Sequence, residues 1–241
     1  MKSPLFSGIL LALLATSSHA HHIWLEQHGD QIALYFGEFG QNLREASPGV
    51  LDKLTKPNAQ LLSANQAAQP IALSKQVHAY QAKLRLGKGA SVVVTDPDYP
   101  IFERKQGEQV IRGQYVPAAR LLSNLQAQAP TLSLDVVPTG QISAEGTEFQ
   151  VWFKQQPLAK VEVELWTASG WKQTLRTNAE GKIKVSTPWK GAYVFELNHK
   201  EQVAGQKQEQ AFDHSSYTTA VTFYTDKGLP SLAAKPALPA H

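Results

Sequence analysis

The sequence predicts an all-β protein of two β-sandwich domains. Short segments of alternating apolar and polar residues recur along the chain, separated by Gly, Asn, Asp and Pro turn signals, the pattern of stacked antiparallel sheets. A Gln- and Ala-rich stretch ending in Pro, Gln126–Pro130, divides these segments into two groups. The length of 241 residues suits one large or two small all-β domains. The expected layout is a signal peptide at 1–20, a first sandwich at 21–130, a second at 131–226 and a flexible tail at 227–241.

Composition narrows the chemistry. The net charge is only +3, with no run of Lys and Arg interleaved with aromatics, so no nucleic-acid footprint is present. There is no cysteine, which excludes a disulfide framework, a thiol nucleophile and any thiolate-held metal. A bound metal must therefore be held by nitrogen and oxygen.

The chain opens with Met1-Lys2, then an apolar run from Leu5 to Ala15, then Ser18-His19-Ala20. A short basic start, an apolar centre and small residues at Ser18 and Ala20 are the parts of a cleavable export signal. The apolar run is about half of what a membrane-spanning helix needs. Without cysteine there is no lipid anchor. The expectation is a periplasmic or secreted protein with no membrane span in its mature form, starting at His21.

The mature chain begins with a hairpin. Ile23 and Leu25 alternate on one strand, and Ile32, Leu34 and Phe36 on the next, around the two-residue loop Gly29-Asp30. Counting back from that loop pairs His28 with Gln31, Leu25 with Leu34, Trp24 with Tyr35, Ile23 with Phe36 and His22 with Gly37. Extending the count sets His21 opposite Glu38. A glycine-punctuated loop follows at 37–45. Ser47-Pro48 then suggests a short helical turn with Ser as cap and Pro at its first position. Strands are expected at 59–63, 71–73, 76–86 and 90–95, and a short helix around 117–122. In the second group, strands are expected near 132–136, 149–153, 161–166, 171–177, 182–186, 191–198 and 216–225. The segment 200–211 reads as a polar loop.

Several stretches resemble a known family. Ala20-His21-His22-Ile23-Trp24-Leu25-Glu26 is similar to the opening of DUF4198 proteins, exported proteins associated with nickel and cobalt uptake. The segment from Phe36 to Gly49 and Leu134–Gly140 with the Gln156–Ala159 turn are similar too. The family's usual Pro after Trp-Leu-Glu is Gln27 here. The Asn178–Gly181 turn and Gly191-Ala192-Tyr193 resemble its Ig-like or transthyretin-like second half. The resemblance implies two β-sandwiches and a metal-related periplasmic role.

Two adjacent histidines at a cleavage point are the sharpest chemical signal. A free α-amine with the His21 or His22 imidazole suits Ni(II), Co(II) or Cu(II). Neighbouring strand residues face opposite ways, so both imidazoles reach one ion only if the chain end bends. Further ligands are expected from Glu38, by the hairpin register, and from His199, Asp213 and His214 near the domain junction. His28 and His78 read as structural or exposed, and His241 lies in the tail. The five tryptophans fit sandwich packing better than a carbohydrate platform. The 39–45 loop lacks a phosphate-loop lysine, and Asp213-His214-Ser215 lacks a nucleophile elbow.

The resulting expectation is a non-enzymatic metal-binding protein that passes Ni, Co or Cu to a membrane importer or an outer-membrane receptor. The alternatives are a copper histidine-brace enzyme acting on polysaccharide, and a metal-free Ig-like interaction module. N-terminal sequencing of the exported protein is expected to start at His21; a start further downstream would remove the best ligand.

Overall fold

The computed structural model describes residues 21–241. The export signal expected at 1–20 lies outside the described residues. The first half of the chain forms β1 (His22–His28), β2 (Gln31–Glu38), β3 (Leu43–Arg44), β4 (Asn58–Leu62), β5 (Gln69–Ile71), β6 (Ser74–Lys75), β7 (Tyr80–Lys83), β8 (Ser91–Thr95), β9 (Phe102–Gln106) and β10 (Gln109–Leu122). The second half forms β11 (Leu134–Ser143), β12 (Gly146–Phe153), β13 (Gln156–Pro157), β14 (Glu162–Thr167), β15 (Lys172–Arg176), β16 (Lys182–Val185), β17 (Gly191–Glu201), β18 (Gly205–Lys207), β19 (Gln210–Phe212) and β20 (His214–Thr225). Two short 3-10 turns, Phe39–Gln41 and Val50–Lys53, are the helical elements among the described residues. None is long and apolar enough to cross a membrane.

The strands make three layers. The central sheet runs β15-β14-β17-β20-β10-β8-β4-β5, with β9 pairing on β10. A second sheet, β1-β2-β7-β6 with β3 on β2, covers one face. A third, β11-β12-β13 with β16 on β12, covers the other. Strand alternation produces this division. Ala119 and Leu121 enter the first core with Ile23, Leu25 and Leu34, whereas Leu122 enters the second with Phe149, Phe195 and Phe223. The protein is thus two β-sandwiches sharing their middle sheet. The expected boundary at 130/131 separates two cores, but not two sheets: β10 from the first half and β20 from the second pair in parallel from Gly113↔His214 to Leu121↔Thr222.

The hairpin register is the one counted from sequence, from His28↔Gln31 back to His22↔Gly37. Gly29 has φ +62° and Asp30 does not have positive φ, as a type II′ turn requires. The helix expected around 117–122 is instead the end of β10. Its residues 118–122 are buried on both faces, which erases the polar–apolar alternation that marks a half-buried strand. Pro117 is tolerated because β9 pairs only up to Gly113 and β8 only from Ala118, so no neighbour on that edge needs its missing N–H. The polar loop at 200–211 contains the β18–β19 hairpin. The expected helical turn forms at Val50–Lys53, capped at Gly49 rather than Ser47.

The tail at 227–241, read from sequence as flexible, is instead tied down. Trp189↔Leu229 and Leu43↔Leu238 are parallel bridges. Lys235 N donates to Ala168 O at 3.1 Å and Leu238 N to Asn42 O at 3.2 Å. A Pro-rich extended chain carries no hydrophobic period, so scattered main-chain bonds of this kind leave no mark in the sequence.

One buried ion pair fastens the linker to the central sheet. Arg120 of β10 meets Asp135 through two parallel bonds, Nε to Oδ1 at 3.0 Å and Nη2 to Oδ2 at 2.6 Å, with both side chains essentially inaccessible. Ser91, Gln128 and Thr131 accept the remaining guanidinium protons, and the Thr131, Leu132 and Val136 amides donate to Asp135. A pair this fully bonded is costly to break on one side, because the survivor is left charged in the core. Asp135→Ala is expected to lower stability by about 3–5 kcal/mol in urea denaturation. Arg120→Met combined with Asp135→Leu should cost less than that single change; a loss for Asp135→Ala below about 1 kcal/mol would contradict the assignment.

Candidate metal centre

His21 is the residue just before β1, and the route that brings a carboxylate to it runs through the next loop. After β2 the chain makes the Phe39–Gln41 turn, closed by Asn42 in the left-handed region at φ 53°. β3 then pairs back on Gly37 and Glu38. Gly37 makes this return feasible: its φ is +143°, and a Cβ there would lie 2.3 Å from Leu43 O. Glu45 N then donates to Phe36 O at 2.8 Å. Since Phe36 pairs with Ile23, Glu45 arrives beside the start of β1.

The Glu45 carboxylate is fully buried and receives two imidazoles. His21 Nε2 lies 2.5 Å from Oε1, and His241 Nδ1 lies 2.9 Å from the same oxygen. His241 N donates to Oε2 at 2.9 Å. Burial alone would raise the Glu45 pKa. The side-chain and backbone bonds from His241, followed by His21, outweigh it and hold the carboxyl below its ordinary value. His21, Glu45 and His241 each offer one ligand atom, all within 4.8 Å of one another. This is the group of metal-ligating side chains found among the described residues.

The position of His21 is fixed from the central sheet. Tyr115 of β10 donates its hydroxyl to His21 O at 2.6 Å and accepts from Thr218 Oγ1 of β20 at 2.9 Å. Burial raises the Tyr115 pKa, and burial with the Asp96 charge pushes Tyr99 up to about 12. Both phenols are therefore neutral donors rather than anionic ligands. His241 is delivered by the tail, where Asn42 Nδ2 donates to Lys235 O at 2.6 Å and Lys235 Nζ to Gln41 Oε1 at 2.9 Å.

Of the six residues singled out by sequence, only His21 belongs to this group. His22 turns to the opposite face, as strand alternation requires, with Nδ1 3.9 Å from Glu196 Oε2. Glu38 is the expected carboxylate in the wrong place: it ends β2 opposite Leu43, and its charge acts on Glu196. His199 sits opposite Tyr217 with its ring 4.3 Å from that of Phe153. Asp213 joins the start of β20 to β10, accepting from Arg112 N at 2.7 Å. His214 is not in a loop but opens β20, buried against Phe102. Burial lowers the pKa of both His199 and His214. Glu45 and His241 were missed. Glu45 lies in the same loop as Glu38, but only the two-residue strand β3 reveals that the loop doubles back. His241 had no local signal at all.

Fold and site together define an all-β scaffold with a histidine–carboxylate cluster at the start of its first strand. A family model described as "Domain of unknown function (DUF4198)" matches residues 18–201, and the chain belongs to this family. The match includes His21 and Glu45 and stops short of His241. No curated protein and no solved structure matches the chain.

Tyr115→Phe removes the hydroxyl that bridges His21 O and Thr218. It is expected to lower stability by about 1–3 kcal/mol and to speed amide exchange around residues 21–23. Unaltered stability and exchange would show that this bond does not hold the site.

Proposed function

We propose that the protein binds a divalent transition metal at His21, Glu45 and His241 and serves metal uptake outside the cytoplasm. One observation carries the reading: two imidazoles from opposite ends of the described chain converge on a single oxygen of a buried carboxylate. Two imidazole nitrogens and a carboxylate oxygen suit Ni(II), Co(II) and Cu(II), with Cu(II) bound most tightly on intrinsic affinity. Ligand atoms around a shared ion stand roughly 3 Å apart when each lies about 2.0–2.2 Å from it. The present 2.5 and 2.9 Å contacts are slightly shorter, so the ion replaces the bridging protons while the rings back away by less than 1 Å. Side-chain exposures of 28% for His21 and 66% for His241 leave both rings room to do so.

Processing after Ala20 would add the α-amine of His21 as a further nitrogen. A chelate through that amine uses Nδ1, so the ring would turn over from its present Nε2 contact with Glu45. Because protons compete for imidazole nitrogens, affinity falls on acidification. A periplasmic location and handover to a membrane importer or an outer-membrane receptor complete the proposal; the export signal and the family resemblance support them. A copper histidine-brace enzyme is the second reading. It is favoured by the His241 ring lying 6.2 Å from that of His21, which supplies the second histidine such a brace needs. Peroxide-dependent polysaccharide cleavage by copper-loaded protein would move the assignment there.

Calorimetric titration of the protein starting at His21 with Ni(II), Co(II) and Cu(II) tests the metal reading. One ion per chain is expected, and His21→Ala, Glu45→Ala or His241→Ala should each weaken binding by roughly tenfold or more. Binding unaffected by all three substitutions would overturn it.

A further inference from the structure

The three ligands form only one wall of a much larger space. A cleft of ≈ 570 Å³ opens beside them. A single water occupies about 30 Å³ of liquid, so the cleft exceeds what an ion with its remaining waters needs and falls within the range of small-molecule sites. Its other walls are aromatic. Phe36 lies edge-on to His21 at 5.3 Å and to Tyr99 at 6.1 Å, and Tyr99 packs edge-on against Tyr115 at 4.7 Å. Phe102 stands at the rim, 36% exposed. Aromatic walls of this extent give a small hydrated ion few ligand atoms. They favour an occupant with a ring or apolar body of its own.

Charge and coordination point the same way. A divalent ion with Glu45 carries a net charge of +1, and Lys53 at the cleft adds another. Among the lining side chains Glu45 is the one carboxylate against these charges. An occupant bearing two carboxylates would balance the site. With the His21 ring in its present Nε2 contact, so that its amine does not chelate, the three protein ligands leave about three positions of a six-coordinate ion open toward the cleft.

We infer that the cleft takes the metal together with a small, ring-bearing dicarboxylate chelator, whose donor atoms complete the coordination begun by His21, Glu45 and His241. This rests on the metal-binding reading and specifies the form in which the metal is carried. The chelator's carboxylates occupy the open coordination positions, its ring lies among Tyr99, Phe36 and Phe102, and Lys53 pairs with a carboxylate oxygen at the mouth.

Pyridine-2,6-dicarboxylate is a suitable probe, being planar, dianionic and tridentate. The protein starting at His21 is titrated with Ni(II) alone, with the probe alone, and with the 1:1 Ni(II)–probe complex, by calorimetry and by visible absorption of the nickel. The expected result is a ternary complex of one protein, one nickel and one probe, with an absorption spectrum unlike that of either binary complex. It should bind at least tenfold more tightly than the probe alone, as direct metal coordination requires. Lys53→Ala alters an exposed position, and Phe102→Leu removes the ring while keeping an apolar side chain over His214. Each should weaken the ternary complex roughly fivefold relative to nickel alone. If nickel alone binds but the probe strips it from the protein, leaving only the free Ni(II)–probe spectrum, the inference is overturned and the metal centre stands. A ternary complex insensitive to both substitutions would also overturn it, because the chelator would then lie outside the cleft. If nickel alone fails to bind at His21, Glu45 and His241, the metal reading itself fails.

Discussion

Everything in this molecule is referred to the parallel seam between β10 and β20. These strands come from opposite halves of the sequence, and their pairing turns two sandwiches into one three-layer body. Because strand residues alternate, the seam feeds both cores: Ala119 and Leu121 to one side, Leu122, Val221 and Phe223 to the other. Parallel pairing leaves both faces in need of cover, and the first and third sheets supply it. The seam also sets the site, because the Thr218–Tyr115–His21 chain of hydrogen bonds crosses it and ends on the residue that begins the first strand. The proposed metal centre is thus referenced to the most interior part of the fold, although His21, Glu45 and His241 lie in a loop and at the two ends of the described chain.

The opening His21-His22 pair illustrates how one step along a strand changes chemistry. His21 meets Glu45, whose carboxyl burial would raise but whose hydrogen bonds from His241 and His21 bring down. His22 meets Glu196 on the other face. There, burial, followed by the charges of Glu164 and Glu38, pushes the carboxyl up to about 8. Hydrogen bonds thus favour the anionic form of Glu45, whereas burial favours the protonated form of Glu196. The second face is structural in character. Trp24, Phe39, Trp166, Val194 and Ala220 pack there, and Trp24 Nε1 and Arg44 both donate to Glu26 Oε1 at 2.8 Å.

The hairpin was legible in full because alternation, a Gly-Asp loop and apolar cross-strand pairs all specify the same register. From that register it also followed that His21 and His22 face apart. The strand from Gln109 to Leu122 was not legible, and its end read as a helix: residues 118–122 are buried on both faces and so have no period to distinguish them from one. Of the three side chains in the candidate site, one was legible. A carboxylate was expected opposite His21, but the hairpin count led to Glu38. The actual one, Glu45, depends on the left-handed Asn42 and the close return at Gly37, which are tertiary in origin. His241 depends on main-chain bonds made by a Pro- and Ala-rich segment, and such bonds are indifferent to side-chain identity.

The most direct measurement is anomalous X-ray scattering at the nickel or cobalt edge from crystals of the protein that starts at His21, soaked with the ion. A single strong peak is expected between the His21 ring, a Glu45 carboxylate oxygen and His241 Nδ1, within about 2.0–2.2 Å of each ligand atom. A peak on the opposite face beside His22 and Glu196, or no ordered peak at full soaking concentration, would contradict it.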